Sequence, residues 1–140
     1  MGRIITNIAI KNLRHPETTL TCNALVDTGA AYLVLPAAWR QQLGPLDTVR
    51  TIECETATQQ TVPADVCGPV EIRLEGFAPI YGEVLFLEMH PAEGQYEPLV
   101  GYIVLEQAQA AVDMLGRRLV HARRADLKQC RHDWNDWNHR

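Results

Sequence analysis

The stretch that most constrains the fold is Ala24-Leu25-Val26-Asp27-Thr28-Gly29-Ala30, where an apolar run delivers a carboxylate and is followed at once by Thr and Gly. The run reads as a buried strand, and an ionised Asp at its end is costly unless hydrogen bonds or a second charge compensate it. A carboxylate kept in such a place points to a working site. Thr28 can hydrogen-bond the backbone around the Asp, while Gly29 permits a sharp turn and the close approach of another backbone or a ligand. Asp-Thr-Gly is also an ordinary turn former, so the flanking sequence must decide between the two readings.

Residues 4–11 mix Ile4, Ile8 and Ile10 with polar side chains, and 18–26 are rich in Thr, Leu and Val. The pattern predicts two strands around the turn-like Arg14-His15-Pro16-Glu17, a hairpin leading into Asp27. Residues 31–35 predict a short strand stopped by Pro36, and Pro36 through Leu43 with Gly44-Pro45 behind it predicts a short helix. Strands are then predicted over 49–56, 60–66, 70–74 and 80–87, punctuated by turns at Thr58-Gln59, Gly68-Pro69 and Glu75-Gly76. A polar loop over 89–97 precedes Leu99-Val100-Gly101, a second helix over 102–109, and two short strands around Leu115-Gly116. The fold class expected is mostly β, with one short helix after the Asp-bearing strand and one near the C-terminus.

A chain of 140 residues can bury a core as one domain without disulfide staples. Thirteen Lys and Arg against 17 Asp and Glu give a net charge of -4, so no domain-wide basic field draws nucleic acid to it. The late cluster Arg117, Arg118, Arg123, Arg124, Lys128 and Arg131 is interleaved with Asp113, Asp126 and Asp133 and reads as solvated surface. No apolar run is long enough to cross a bilayer and no secretion signal stands at the start, so a soluble, cytoplasmic protein with no membrane partner is expected. Cys22, Cys54, Cys67 and Cys130 have neither zinc nor redox spacing and are expected as reduced thiols. The five histidines form no metal-ligand pattern, so no metal and no cofactor are expected. Ser is absent from the whole chain, which removes serine hydrolase chemistry, and Cys22 and Cys54 lack the neighbouring His that would activate a thiol.

Asp27-Thr28-Gly29-Ala30 behind a strand pair, a short strand and helix to Leu43-Gly44, a β-rich middle, and Leu99-Val100-Gly101 ahead of a helix follow one another in an order that resembles the retropepsin-like, single-domain aspartic proteases, including the bacterial soluble members. The resemblance covers 4–121. It implies a closed acid-protease β-barrel over 1–121, with a polar tail over 122–140 left open between disorder and a place at a dimer interface. It also implies that Leu99 and Val100, with Gly101, pack beneath the active-site loop, and that Asp27 is half of a catalytic pair. Leu46-Asp47-Thr48-Val49 and Val112-Asp113-Met114 lack the full signature, so the partner implied is Asp27 of a second copy in a homodimer. Like carboxyls sharing one site cannot both ionise cheaply, so the pair would hold one proton and activate a water against a peptide or unfolded-protein substrate. By the same resemblance Thr28 links the two loops, and a hairpin flap covers the substrate. The candidate tip is Thr56, Ala57, Thr58, Gln59 and Gln60, which contains no Gly. The alternative reading is a dimerisation or peptide-binding module of the same fold with weak or no catalysis.

Overall fold

The computed structural model describes residues 3–56 and 58–122. Residues 123–140 of the expected tail, Cys130 among them, and Ala57 of the candidate flap tip therefore lie outside the described residues.

Among the described residues nine strands and two short helices follow one another as β1 (Ile5–Asn12), β2 (Thr19–Val26), β3 (Leu33–Pro36), a 3-10 helix (Ala37–Leu43), β4 (Asp47–Glu55), β5 (Thr61–Leu74), β6 (Ile80–Leu87), β7 (Leu99–Val100), α1 (Tyr102–Gln107), β8 (Ala110–Asp113) and β9 (Arg118–His121). Seven strands form one sheet in the order β1-β2-β7-β3-β6-β5-β4, with a further β1–β5 pairing, and β8 and β9 pair separately. Among the described residues no helix is long and apolar enough to cross a membrane.

Period-two alternation drives the strands into place. Ile8, Ile10 and Asn12 of β1 and Val70, Ile72 and Leu74 of β5 are all buried, and β1 pairs antiparallel with the second half of β5 so that Ile10 faces Ile72. These residues join Leu33, Leu35, Leu43, Val84, Val100, Val104 and Leu105 in the main core. A smaller apolar cluster comprises buried Val34, Ala64, Val66 and Leu85, with Tyr32, Ile52, Cys54, Leu87, Met89 and Leu99 packed partly buried against it. Trp39 packs against the main core and meets Tyr96 edge-on at 5.8 Å, a packing role rather than a substrate platform.

The structure departs from the sequence pattern within β5. Gly68-Pro69 is not a turn between two strands but lies inside the 14-residue β5, where the register against β6 slips between Cys67 and Val70. The bulge has no use for the N–H that Pro69 lacks, and at Gly68 a Cβ would sit 3.1 Å from the Gly82 carbonyl oxygen. The short helix expected after Pro36 is present as a 3-10 helix with no side-chain N-cap, and the Gly44 N–H closes it on the Gln41 carbonyl.

Asn12 is the one buried polar side chain of the described residues. Its Nδ2 donates to the Leu43 carbonyl at 2.7 Å and to the Pro45 carbonyl at 2.8 Å, while its Oδ1 accepts from the Arg14 N–H at 3.0 Å. The end of the 3-10 helix and two loop groups, none with a strand partner, are thereby satisfied inside the core margin. Asn12→Ala strands those groups and is expected to cost about 2–3 kcal/mol, read as a lowered urea midpoint with unchanged slope.

Candidate active site

Asp27 follows β2 directly. Its N–H donates to the Val100 carbonyl at 2.9 Å, continuing the parallel β2–β7 pairing of Leu25 with Leu99 and Val26 with Val100. The chain then turns, with the Ala30 N–H on the Asp27 carbonyl at 3.1 Å and the Gly29 N–H on Asp27 Oδ1 at 2.9 Å. A Cβ on Gly29 would lie 3.2 Å from that same oxygen, tighter than ordinary contact, so the short side-chain-to-backbone turn suits Gly. Asp27 is half-buried and Thr28 and Gly29 are exposed, which leaves the carboxylate at the surface of a loop whose backbone is fixed from below.

The backbone beneath it comes from residues 99–101. Leu99 and Val100 form the two-residue β7, wedged between β2 and β3. Gly101 follows, and a Cβ there would overlap the backbone of Ala30, Ala31 and Tyr32, lying only 2.6 Å from the Ala30 carbonyl oxygen. Helix α1 has no side-chain cap. Instead its first N–H groups, those of Tyr102 and Ile103, donate to the carbonyls of Ala30 and Ala31 at 2.8 and 3.0 Å. The orphan donors of a helix start and the orphan acceptors of a tight loop satisfy each other. Asp27, Thr28, Gly29 and Ala30 are thus brought together with Leu99, Val100 and Gly101.

The candidate flap is the β4–β5 hairpin. Glu55 pairs with Thr61, and the tip closes through the Thr56 N–H on the Gln60 carbonyl and the Gln59 N–H on the Thr56 carbonyl. Gln59 takes a positive φ of 64°, which supplies the turn that a Gly would otherwise give. Ile52 and Cys54 of the hairpin pack into the smaller apolar cluster with Leu99 and Val34.

The other sequence candidates are committed elsewhere. Asp47 pairs with Arg14. Asp113 accepts from the Gly116 N–H and from Arg118 across the β8–β9 turn, which holds its carboxyl below the usual range, the Gly116 bond contributing most. His121 stacks near Phe77 at 4.4 Å. Among the described residues no cluster of His, Cys, Asp and Glu could hold a metal ion. Cys22, Cys54 and Cys67 are free thiols, and burial pushes each of them up, Cys22 to about 11. Sequence reasoning missed Arg50, whose guanidinium reaches Glu83 and Tyr32. Counting back by twos from Ile52 and Cys54 would have placed that charge on the same face of the strand.

The fold is that of a retroviral protease. EIAV protease complexed with the inhibitor HBY-793 matches with a TM-score of 0.53 at 21% identity, over 75% of this chain and 86% of that one. No family model matches the chain. No curated protein matches it.

Two expectations follow from this geometry. Gly101→Ala displaces the Asp27 loop or α1 and is expected to cost about 1–3 kcal/mol in chemical denaturation, as overpacking does. Cys22, held as a thiol well above neutral pH, is expected to react with iodoacetamide in the folded protein at least tenfold more slowly than in urea, on the order set by the loss of thiolate; equal rates would contradict the burial described.

Proposed function

We propose that the protein is an aspartic endopeptidase that works as a homodimer, with Asp27 of each copy forming one proton-sharing pair. The observation that carries this reading is the Asp27 carboxylate itself: it is surface-accessible, anchored by one backbone donor, and set on a loop that Gly101 and α1 hold from beneath. A loop held so closely around a half-buried acid suits a group that must keep its geometry during reaction. The likeness of fold to a retroviral protease supports it further.

In this reading one Asp27 takes a proton from a water between the pair, and its counterpart donates one to the scissile carbonyl. The water oxygen bonds to the carbonyl carbon, giving a tetrahedral intermediate with no covalent enzyme adduct. Collapse breaks the C–N bond, and the amine leaves with a proton from the pair. Thr28 would couple the two loops, Gly29 would leave room for water, and the β4–β5 hairpin would cover an extended peptide against Ile52, Cys54, Val34 and Leu99.

Wild-type protein and Asp27→Asn are compared on an unfolded protein substrate at mildly acid pH, with sedimentation of both. Cleavage by the wild type, reduced about 10²–10⁴-fold or more in a variant that sediments identically, is the expected result. Equal cleavage by Asp27→Asn removes Asp27 from the chemistry, and a strictly monomeric wild type removes the shared pair.

A further inference from the structure

The β4–β5 hairpin is supported unevenly. Strand β5 pairs with β6 as far as Asp65, opposite Phe86, and beyond that point residues 61–64 pair only with 52–55 of β4. Strand β4 is the outermost strand of the sheet. The outer half of the hairpin is therefore a two-stranded ribbon, an arrangement that is marginal by itself, and among the described residues β4 has no backbone neighbour on its free edge to steady it where the ribbon begins.

Arg50 stands at that place, paired with Val66 one step inside the last β5–β6 contact. It lies on the face of Ile52 and Cys54, toward the smaller apolar cluster. Its guanidinium forks onto Glu83 of β6, at 2.9 and 3.2 Å, and donates to the Tyr32 hydroxyl at 2.5 Å while lying 5.7 Å from the centre of that ring. Tyr32 is the last residue before β3, and its carbonyl packs against Gly101. One side chain thus connects the ribbon's root with β6 and with the loop that carries Asp27. A recess of about 220 Å³ opens beside it, lined by Tyr32, Arg50, Glu83, Ile103 and Gln107 among others. The opposite face of the root is held separately, by Arg40 and Thr51 on Asp65.

We propose that Arg50 is a positioning residue, which through Tyr32 and Glu83 fixes the root of the β4–β5 hairpin relative to the Asp27 loop and so sets how readily the hairpin closes over a bound peptide. The inference rests on the peptidase reading for the word peptide, but the tether itself does not. The Glu83 and Tyr32 bonds also hold the Arg50 guanidinium still more firmly protonated than usual, Glu83 contributing most. Bidentate geometry with a second acceptor gives it a direction that a lone surface ion pair lacks.

Hydrogen exchange of the hairpin amides over 51–62 is measured in wild type, Arg50→Met, Arg50→Lys and Tyr32→Phe, with Lys11→Met as a control that removes the remote Lys11–Glu71 pair. Arg50→Met is expected to speed those amides about three- to tenfold while leaving the β1–β2 amides unchanged, with Arg50→Lys and Tyr32→Phe intermediate and Lys11→Met without effect. On a peptide substrate the same variant is expected to raise KM by a similar factor with kcat within about twofold, a split that a general loss of folded protein would not produce. Unchanged exchange overturns the tether whether or not the protein cleaves peptides. Faster exchange with KM unchanged, or with kcat falling alone, overturns the link to substrate closure. A wild type that cleaves nothing sinks the peptidase reading and the closure role with it, while the exchange data still decide the tether. Tyr32→Phe keeps the question answerable if Arg50→Met fails to fold, since it removes one acceptor and leaves the ring and the Glu83 fork in place.

Discussion

The contact on which the rest depends is the one between Gly101 and the backbone of Ala30, Ala31 and Tyr32. Only a residue without a side chain lets the two segments come this close, and closeness makes the hydrogen bonding possible: Asp27 N–H to Val100 on one side of Gly101, and the Tyr102 and Ile103 N–H groups to Ala30 and Ala31 on the other. A six-residue helix with no side-chain cap would be unstable alone. A tight loop with unpaired carbonyls would be equally so. Each supplies what the other lacks, and the cost of ordering both is met by one interface rather than two.

Strand β7 extends that contact through the sheet. Its two residues point to opposite faces, Val100 into the main core with Val104 and Leu33, and Leu99 into the smaller cluster with Val34. Burying Val100 fully contributes about 1.5–3 kcal/mol, and because β7 pairs with β2 and β3 at once, that energy also holds the strand that ends at Asp27 against the strand that follows it. The loop is therefore suspended between two packed clusters, and its shape is set by the core rather than by its own exposed and half-exposed residues.

Much of this was legible in the residues and part was not. Asp27-Thr28-Gly29 stands out because an apolar run ending in a turn residue is a local pattern, Leu99-Val100-Gly101 gains meaning only through the family resemblance, and the alternation of Val70, Ile72 and Leu74 is a period-two signal that burial bears out. Gly68-Pro69 misled because the same dipeptide serves a turn and a bulge, and the difference lies in Gly82 across the sheet. The parallel neighbour of β2 was equally hidden, since pairing across more than seventy residues leaves no trace in either segment's composition. Arg50 is the clearest loss: an Arg on an edge strand reads as solvent-facing, and its partners Tyr32 and Glu83 come from two other segments.

The Asp27 carboxylate shows how the chain divides fixed parts from free ones. Among the described residues its side chain has a single hydrogen bond, from the Gly29 N–H to Oδ1. Asp65 and Asp113, by contrast, are each gripped by an Arg together with a second donor. A carboxylate needed only to close a turn gains by collecting donors, as Asp113 does, because each one stabilises the charge. Asp27 sits in a loop with abundant backbone order yet takes only the nearest donor, so its second oxygen remains open to a group from outside the chain. A rigid backbone with an under-coordinated acid is the combination that the proposed acid–base role would require, and here Gly101 and α1 maintain the geometry.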